Sequence, residues 1–211
     1  MYLIELYKLI ESGENSTTEF KRKFSTPEKI AKEMIAFANS KGGKIIFGVD
    51  DDKTIVGVES EKGELELITT AAKFYCEPEI EFTTDIVCIK NMDVVVADIP
   101  ESTLKPHFLQ TENEDPKAYV RYKDQSILAS KETIKILKNS VTDDLPLALY
   151  IGEIEKSLFA FLEANDRITV KGFKKLVNIS ERRASRTLIN LVRANMIRHH
   201  FMGREDYFTL I

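Results

Sequence analysis

The residues that invite a chemical reading lie near the start of the chain. Glu14-Asn-Ser-Thr-Thr-Glu19-Phe-Lys21 sets two carboxylates five positions apart, and the basic run Lys21-Arg22-Lys23 follows at once. Farther on, Gly48-Val-Asp50-Asp51-Asp52 closes an apolar run with an acidic turn. If the strand expected at 18–23 lies beside the one expected at 44–49, Glu14, Glu19 and Asp51 converge at one edge of a sheet. Converging carboxylates repel one another unless protonated or bridged by a cation. Oxygen-only ligation suits Mg²⁺ or Mn²⁺ rather than zinc. A cation held there beside Lys21, Arg22 and Lys23 would suit phosphodiester chemistry, activating water and clamping the phosphate. Read singly, the same residues are solvated glutamates, an ordinary Asp-rich turn and, at Gly42-Gly43, a helix C-cap.

A second constellation lies near the other end, in Ser180-Glu-Arg182-Arg183-Ala-Ser-Arg186-Thr-Leu-Ile-Asn190. On a helix capped by Ser180, Arg182, Arg183, Arg186 and Asn190 fall close to one face, while Leu188, Leu191 and Val192 face inward. Such a helix can enter a DNA major groove, where Arg reads guanine. Lys171, Lys174 and Lys175 on the preceding helix, with Arg204 beyond it, would add phosphate contacts. An Arg-rich face is also an ordinary solvated surface.

The elements that must carry these residues follow from periodicity. Residues 2–12 read as an amphipathic helix stopped by Gly13, and 17–23 as a strand. Thr26-Pro27-Glu28 starts a helix that runs to Asn39. Lys44–Val49 and Thr54–Val58 read as a hairpin with the acids at its tip. Ser60 caps a helix through Phe74, Ile80–Lys90 and Asp93–Ile99 form a second hairpin, and 101–117 read as an exposed polar loop containing His107. Ala118–Lys123 is a strand, and Ser130 caps a closing helix over Ile134 and Leu137. Residues 1–140 are thus an α+β domain with a mixed sheet, and Ser140-Val-Thr-Asp-Asp-Leu-Pro146 marks a linker at 141–147. Over 148–211 three helices lead into two short β-like segments, Met196–His200 and Tyr207–Leu210. That is the order of an all-helical winged helix-turn-helix domain with the two segments as its wing.

Composition bounds these readings. With 211 residues, 43% hydrophobic and 30% charged, the chain has the balance of a globular protein of one or two domains. The net charge of −4 disfavours indiscriminate coating of nucleic acid. The charge is divided, however. From Leu145 onward 11 Lys and Arg stand against 7 Asp and Glu, whereas the stretch before it has 19 against 27. A basic module docking locally on phosphates is therefore expected beside an acidic one. No apolar run approaches the roughly 20 residues of a membrane span. The start, Met1-Tyr-Leu-Ile-Glu5, lacks the basic flank of a secretory signal. A cytoplasmic setting with reduced thiols is expected, Cys76 and Cys88 reading as core residues. His107 and the His199-His200 pair have no metal-type spacing, so structural zinc is not expected.

The motifs together resemble the Schlafen-type AlbA-like domain family. The likeness rests on Glu14-x-x-x-x-Glu19-Phe-Lys21, Ala36-Phe-Ala-Asn39-Ser-x-Gly42-Gly43, Phe47-Gly-Val-Asp-Asp51, Lys105-Pro106 and Ala118-Tyr-Val-Arg121-Tyr122. It covers about residues 10–138. Asn15 and Ser40 stand where the family pattern has Ser and Thr. The resemblance implies nucleic-acid binding, with Arg121 and Lys21 steering phosphate. In animal members of the family Glu, Glu and Asp form a metal-dependent endoribonuclease site, which maps onto Glu14, Glu19 and Asp51. Many bacterial relatives are instead regarded as DNA-binding regulators. The animal enzymes join two such lobes, so a comparable groove implies a homodimer here. Longer relatives are often labelled ATP-binding, but Ser40-Lys-Gly-Gly-Lys44 is too short for a phosphate-cradling loop. The expected function is DNA-binding transcriptional regulation, with the metal-dependent endoribonuclease as the alternative.

Overall fold

A computed structural model of the chain describes residues 1–111, 114–139, 151–201 and 206–211. The elements in order are α1 (Leu3–Ser12), β1 (Thr18–Lys21), α2 (Pro27–Ala38), β2 (Gly43–Phe47), α3 (Glu61–Phe74), β3 (Cys76–Glu77), β4 (Thr83–Ile89), β5 (Met92–Ile99), β6 (Phe108–Thr111), β7 (Glu114–Lys117), β8 (Tyr119–Tyr122), β9 (Gln125–Leu128), α4 (Lys131–Asn139), α5 (Glu153–Ala164), α6 (Val170–Leu176), α7 (Glu181–Arg193), β10 (Ile197–Phe201) and β11 (Asp206–Leu210). They form two compact units, Met1–Leu128 and Ala129–Ile211. No described helix is long and apolar enough to cross a membrane.

The first unit is built on a mixed sheet of order β1-β2-β5-β4, with β1 parallel to β2 and the other pairs antiparallel. Its central strands are covered on both faces, which is why Ile45-Ile46-Phe47 of β2 reads as an uninterrupted apolar run rather than an alternating one. Ile45 and Phe47 face α2 and α3, packing with Met34, Phe37, Ile68 and Val95. Ile46 faces the other way and meets Leu6 and Ile10 of α1 together with Phe20 and Val96. Each such fully buried side chain contributes about 1.5–3 kcal/mol. Thr26 caps α2 by accepting from the Lys29 N–H, and Pro27 occupies the first helical position. The chain turns out of α2 at Gly42, whose φ is +73° and where a Cβ would lie 2.8 Å from the Ile99 oxygen and the Glu101 nitrogen. Only glycine fits that turn.

The structure corrects several expectations for the first unit. Thr54–Val58 is not a strand. The N–H groups of Val56 and Gly57 both bond the Gly48 oxygen, leaving two isolated bridges, Val49 with Ile55 and Val58 with Asp93. Two positive-φ glycines, Gly48 and Gly57, break the register a hairpin would need. Nor is 101–117 an exposed loop, because β6 pairs with both β3 and β7. His107 within it is 1% exposed. Residues 80–82 precede β4 rather than begin it, and β8 gains a partner, β9, that the polar turn at Lys123-Asp124 concealed. Cys76 is buried as expected, but Cys88 is exposed on the edge strand β4.

In the second unit α4 packs on α7 and groups with the later helices, instead of closing the first domain. Ser130 caps α4 by accepting from the Thr133 N–H and also donates to Asp206. Ser185 of α7 donates to Glu132 at 2.8 Å and accepts from Lys135 at 3.1 Å. The core comprises Leu158, Leu162, Ile168, Phe173, Ala184, Leu188, Leu191, Ile197 and Phe208. Beyond α7, β10 and β11 form an antiparallel pair, and Ile168 bridges to Phe208. The expected linker at 141–147 lies outside the described residues.

Candidate functional site

The first candidate cluster is organised by the pairing of β1 with β2, which lie side by side, the condition set for the acids to converge, and run parallel. Thr18 stands opposite Lys44 and Lys21 opposite Phe47, so Glu19 and the turn after β2 reach the same region. Glu14 Oε1 accepts the Phe20 backbone N–H at 2.8 Å. Partial desolvation raises the Glu14 pKa most, opposed by that hydrogen bond, and the charges of Glu19 and Asp51 raise it further. The three acids thus feel one another. They do not form a ligand set. Glu19 is 8% exposed, with one oxygen bonded by the Lys21 ammonium and the other by Arg121 Nη1 at 3.1 Å. Asp51 is exposed on the turn. Among the described residues no three His, Cys, Asp or Glu side chains are grouped to hold a metal ion. The residues as placed therefore do not fit Mg²⁺ or Mn²⁺, because internal cations already neutralise the carboxylate that would lead the set.

Arg121 is the centre of this arrangement. Its side chain is 1% exposed, and besides Glu19 its Nη1 donates to Glu33 Oε2 and Ser126 Oγ, both at 3.0 Å. Nη2 donates to the Asn15 carbonyl at 2.8 Å, and the guanidinium lies 4.5 Å from the centre of the Phe37 ring. So Arg121 is an internal counter-ion and cannot also steer phosphate, which corrects the sequence expectation. Lys21 is likewise committed to Glu19, with a quarter of its side chain exposed. Arg22 is exposed and pairs with Asp50 at 2.6 Å, and Lys23 is exposed. Glu33, Ser126 and Ser40, whose hydroxyl accepts the Arg121 N–H, were missed by sequence reasoning. Glu33 stands one helical turn before Phe37 on α2, a spacing that places both beside whatever crosses that face.

A buried polar junction holds the crossing strand. The Asn39 amide donates to the carbonyls of His107 and Tyr119, both at 3.0 Å, and accepts the His107 N–H at 2.8 Å. One asparagine thereby ties the end of α2 to the segments before β6 and in β8. His107 Nδ1 lies 2.7 Å from the Pro78 carbonyl, so it carries the proton there, and Nε2 accepts from Ser102 Oγ at 2.6 Å. Burial pushes the His107 pKa down.

The second candidate cluster lies on α7. Ser180 caps the helix through the Arg183 N–H. Ala184, Ser185, Leu188, Ile189 and Leu191 are buried, whereas Arg182, Arg183 and Arg186 are exposed and Asn190 is half-buried. On α6, Lys171 and Lys175 are exposed, and Lys174 pairs with Glu181 at 3.5 Å. Arg204 lies outside the described residues. His199 and His200 are bound within the β10–β11 pair, to Asp206 at 2.7 Å and Thr209 at 2.9 Å, which leaves neither as a free phosphate contact.

Comparison with known proteins places the geometry in context. An "uncharacterized ATP-binding protein" of Ureaplasma parvum serovar 3 is 30% identical over 127 residues, covering 51% of this chain but only 36% of that protein. Among solved structures, the N-terminal domain of a RecG-related protein from Nitrosomonas europaea aligns with 69% of this chain and 97% of its own, at 17% identity and a TM-score of 0.45. The DIP2311 protein of Corynebacterium diphtheriae aligns with 62% of this chain and 31% of its own, at 13% identity and a TM-score of 0.43. Neither structural likeness is close enough to carry an argument. The sequence pattern of the family described as Schlafen, AlbA_2 matches residues 14–130, the span of β1 through the start of the second unit, and so the chain belongs to the Schlafen AlbA_2 family.

Proposed function

We propose that this chain binds DNA and acts in transcriptional regulation as a homodimer, with its second unit a winged helix that lays α7 in the major groove. One observation carries the reading. Arg182, Arg183 and Arg186 crowd the exposed face of α7, and among the described residues none of their guanidinium groups has an ion-pair or hydrogen-bond partner. Three unpaired cations on two helical turns repel one another, and a polyanion relieves that repulsion. Helix, helix, helix and antiparallel pair, in that order, support the same docking, and Lys171 and Lys175 then supply phosphate contacts. A homodimer would set two such helices on half-sites about 34 Å apart. Membership of the Schlafen AlbA_2 family agrees with nucleic-acid association. The endoribonuclease alternative draws no support from the placement of Glu14, Glu19 and Asp51.

Fluorescence anisotropy with labelled duplex DNA tests this reading. Affinity is expected to fall with salt by about 0.9 log unit per log of salt for each phosphate neutralised. The Arg182→Ala, Arg186→Ala double variant should bind at least about tenfold more weakly and with a shallower salt slope. Unchanged binding by that variant refutes the assignment of α7.

A further inference from the structure

β4 lies at one edge of the first unit's sheet and pairs with β5 along its whole length. Among the described residues nothing takes up the backbone groups on its other side. An open edge is a template for another strand, and natural edges are blunted by brevity, proline, bulges or charge. β4 has none of these devices. Thr83-Thr-Asp-Ile-Val-Cys-Ile89 contains no proline, keeps an unbroken register with β5, and carries a single charge. That charge, Asp85, is neutralised by the Met1 amino group at 2.6 Å. Ile86, in the middle of the strand, is 45% exposed.

The same ion pair holds the start of α1 beside this edge. Tyr2, Leu3 and Ile4, which follow Met1, are exposed, and so is Tyr7, although α1 buries Leu6 and Ile10. An apolar helix flank beside an unblunted strand edge has the composition of an interface, with tyrosines of the kind enriched at contact centres. The strand's own sequence selects the partner. In an antiparallel two-fold pairing centred on Ile86, Ile86 meets the partner's Ile86, Thr84 meets the partner's Cys88, and Asp85 meets the partner's Val87. No charge then stands directly opposite a like charge, and each Asp85 keeps its own Met1 partner. A neutral, self-complementary edge favours a second copy of this chain over a charged partner.

We propose that this chain dimerises by joining β4 edge to edge across a two-fold axis, which continues the sheet from one copy into the next, with the exposed start of α1 flanking the seam. The inference rests on the homodimer of the preceding reading and gives it an interface, while owing nothing to α7. Paired strands keep their side chains on the sheet faces, so Cys88 stays open to reagents. One strand pair and a helix flank make a small interface, and a micromolar dissociation constant is expected.

Sedimentation velocity on the full chain, over a range of concentrations, should show a 24.1 kDa monomer giving way to a species of twice that mass. Ile86→Lys, at an exposed position, sets two ammonium groups against each other across the axis and should weaken the dimer at least about tenfold. Mixing Ile86→Lys with Ile86→Glu should restore a dimer. Thr84→Cys tests the register. Directly opposite strand residues lie about 4.5–5.5 Å apart between Cα atoms, within disulfide reach, so mild oxidation should link the new thiol to the partner's Cys88. Within one chain the two positions lie roughly 13 Å apart along the strand and cannot bridge. A protein that stays monomeric overturns this interface and the homodimer together. A dimer that survives Ile86→Lys, or whose Thr84→Cys form gives no link to Cys88, overturns the interface and leaves the homodimer standing. Open-ended assembly overturns the interface as well, since a two-fold pairing uses up both edges. The Arg182→Ala, Arg186→Ala protein should dimerise like the parent, so the fate of α7 does not decide the result.

Discussion

Replacing Arg121 by Met probes the internal counter-ion directly. Met roughly preserves volume but removes a guanidinium that is 1% exposed and bonded to Glu19, Glu33, Ser126 and the Asn15 carbonyl. Glu19 keeps Lys21 as a partner. Glu33 is the acid left stranded, its other cation being Lys32 at 4.0 Å. Breaking a buried pair by deleting one partner costs about 3–5 kcal/mol, because the surviving charge stays desolvated. For a unit of this size, at roughly 3–5 °C per kcal/mol, melting should fall by about 9–25 °C. Five of the seven tyrosines (Tyr2, Tyr7, Tyr75, Tyr119 and Tyr122) lie in the first unit, and the chain has no Trp. Tyrosine emission followed through a urea titration therefore reports mainly this unit. Adding Glu33→Gln to Arg121→Met should recover about 1–3 kcal/mol, whereas Glu33→Gln alone should destabilise. A loss below about 1 kcal/mol, the size seen for exposed pairs, or strict additivity of the two substitutions, would refute the counter-ion account.

Further outcomes follow from the same geometry. Mn²⁺ added to the parent protein should leave its melting temperature unchanged, since Glu19 is already neutralised, and a concentration-dependent rise would contradict this. Because the folded-state pKa of Glu14 is raised, its contribution to stability is present at low pH and lost as pH rises through that raised value. Glu14→Gln should therefore match or exceed the parent in stability at pH 7 and lose that advantage near pH 4, as melting curves at the two values would show. Under native conditions iodoacetamide should modify Cys88 and spare Cys76. Cys76 is buried and its thiol is pushed up to about 12, whereas Cys88 is exposed, its thiol pushed up chiefly by the neighbouring Asp93 side chain. Mass spectrometry showing equal modification before unfolding would contradict the burial of Cys76.

Much of the framework was legible in the chain itself, because it rests on local rules. Thr26-Pro27 begins α2, Ser60 and Ser180 cap α3 and α7, and apolar periodicity marks the buried side of each helix. The shared face of Arg182, Arg183 and Arg186 followed from the same patterns, whereas the adjacency of β1 and β2 was only a condition for the acids to converge, and its parallel sense came from the tertiary structure. Contacts far apart in sequence were not legible. Nothing near Arg121 announces that Glu19 and Glu33, 102 and 88 positions away, will enclose it, so an exposed cation was expected where a buried one stands. The stretch 101–117 looked like a loop because its polarity is local, while its order comes from Asn39, 68 residues earlier, holding His107. Periodicity and capping depend on residues within a turn or two of one another, and these the sequence alone determined. Whether a charge meets water, a metal or an opposing charge depends on which distant segments close over it, and only the tertiary structure decided that.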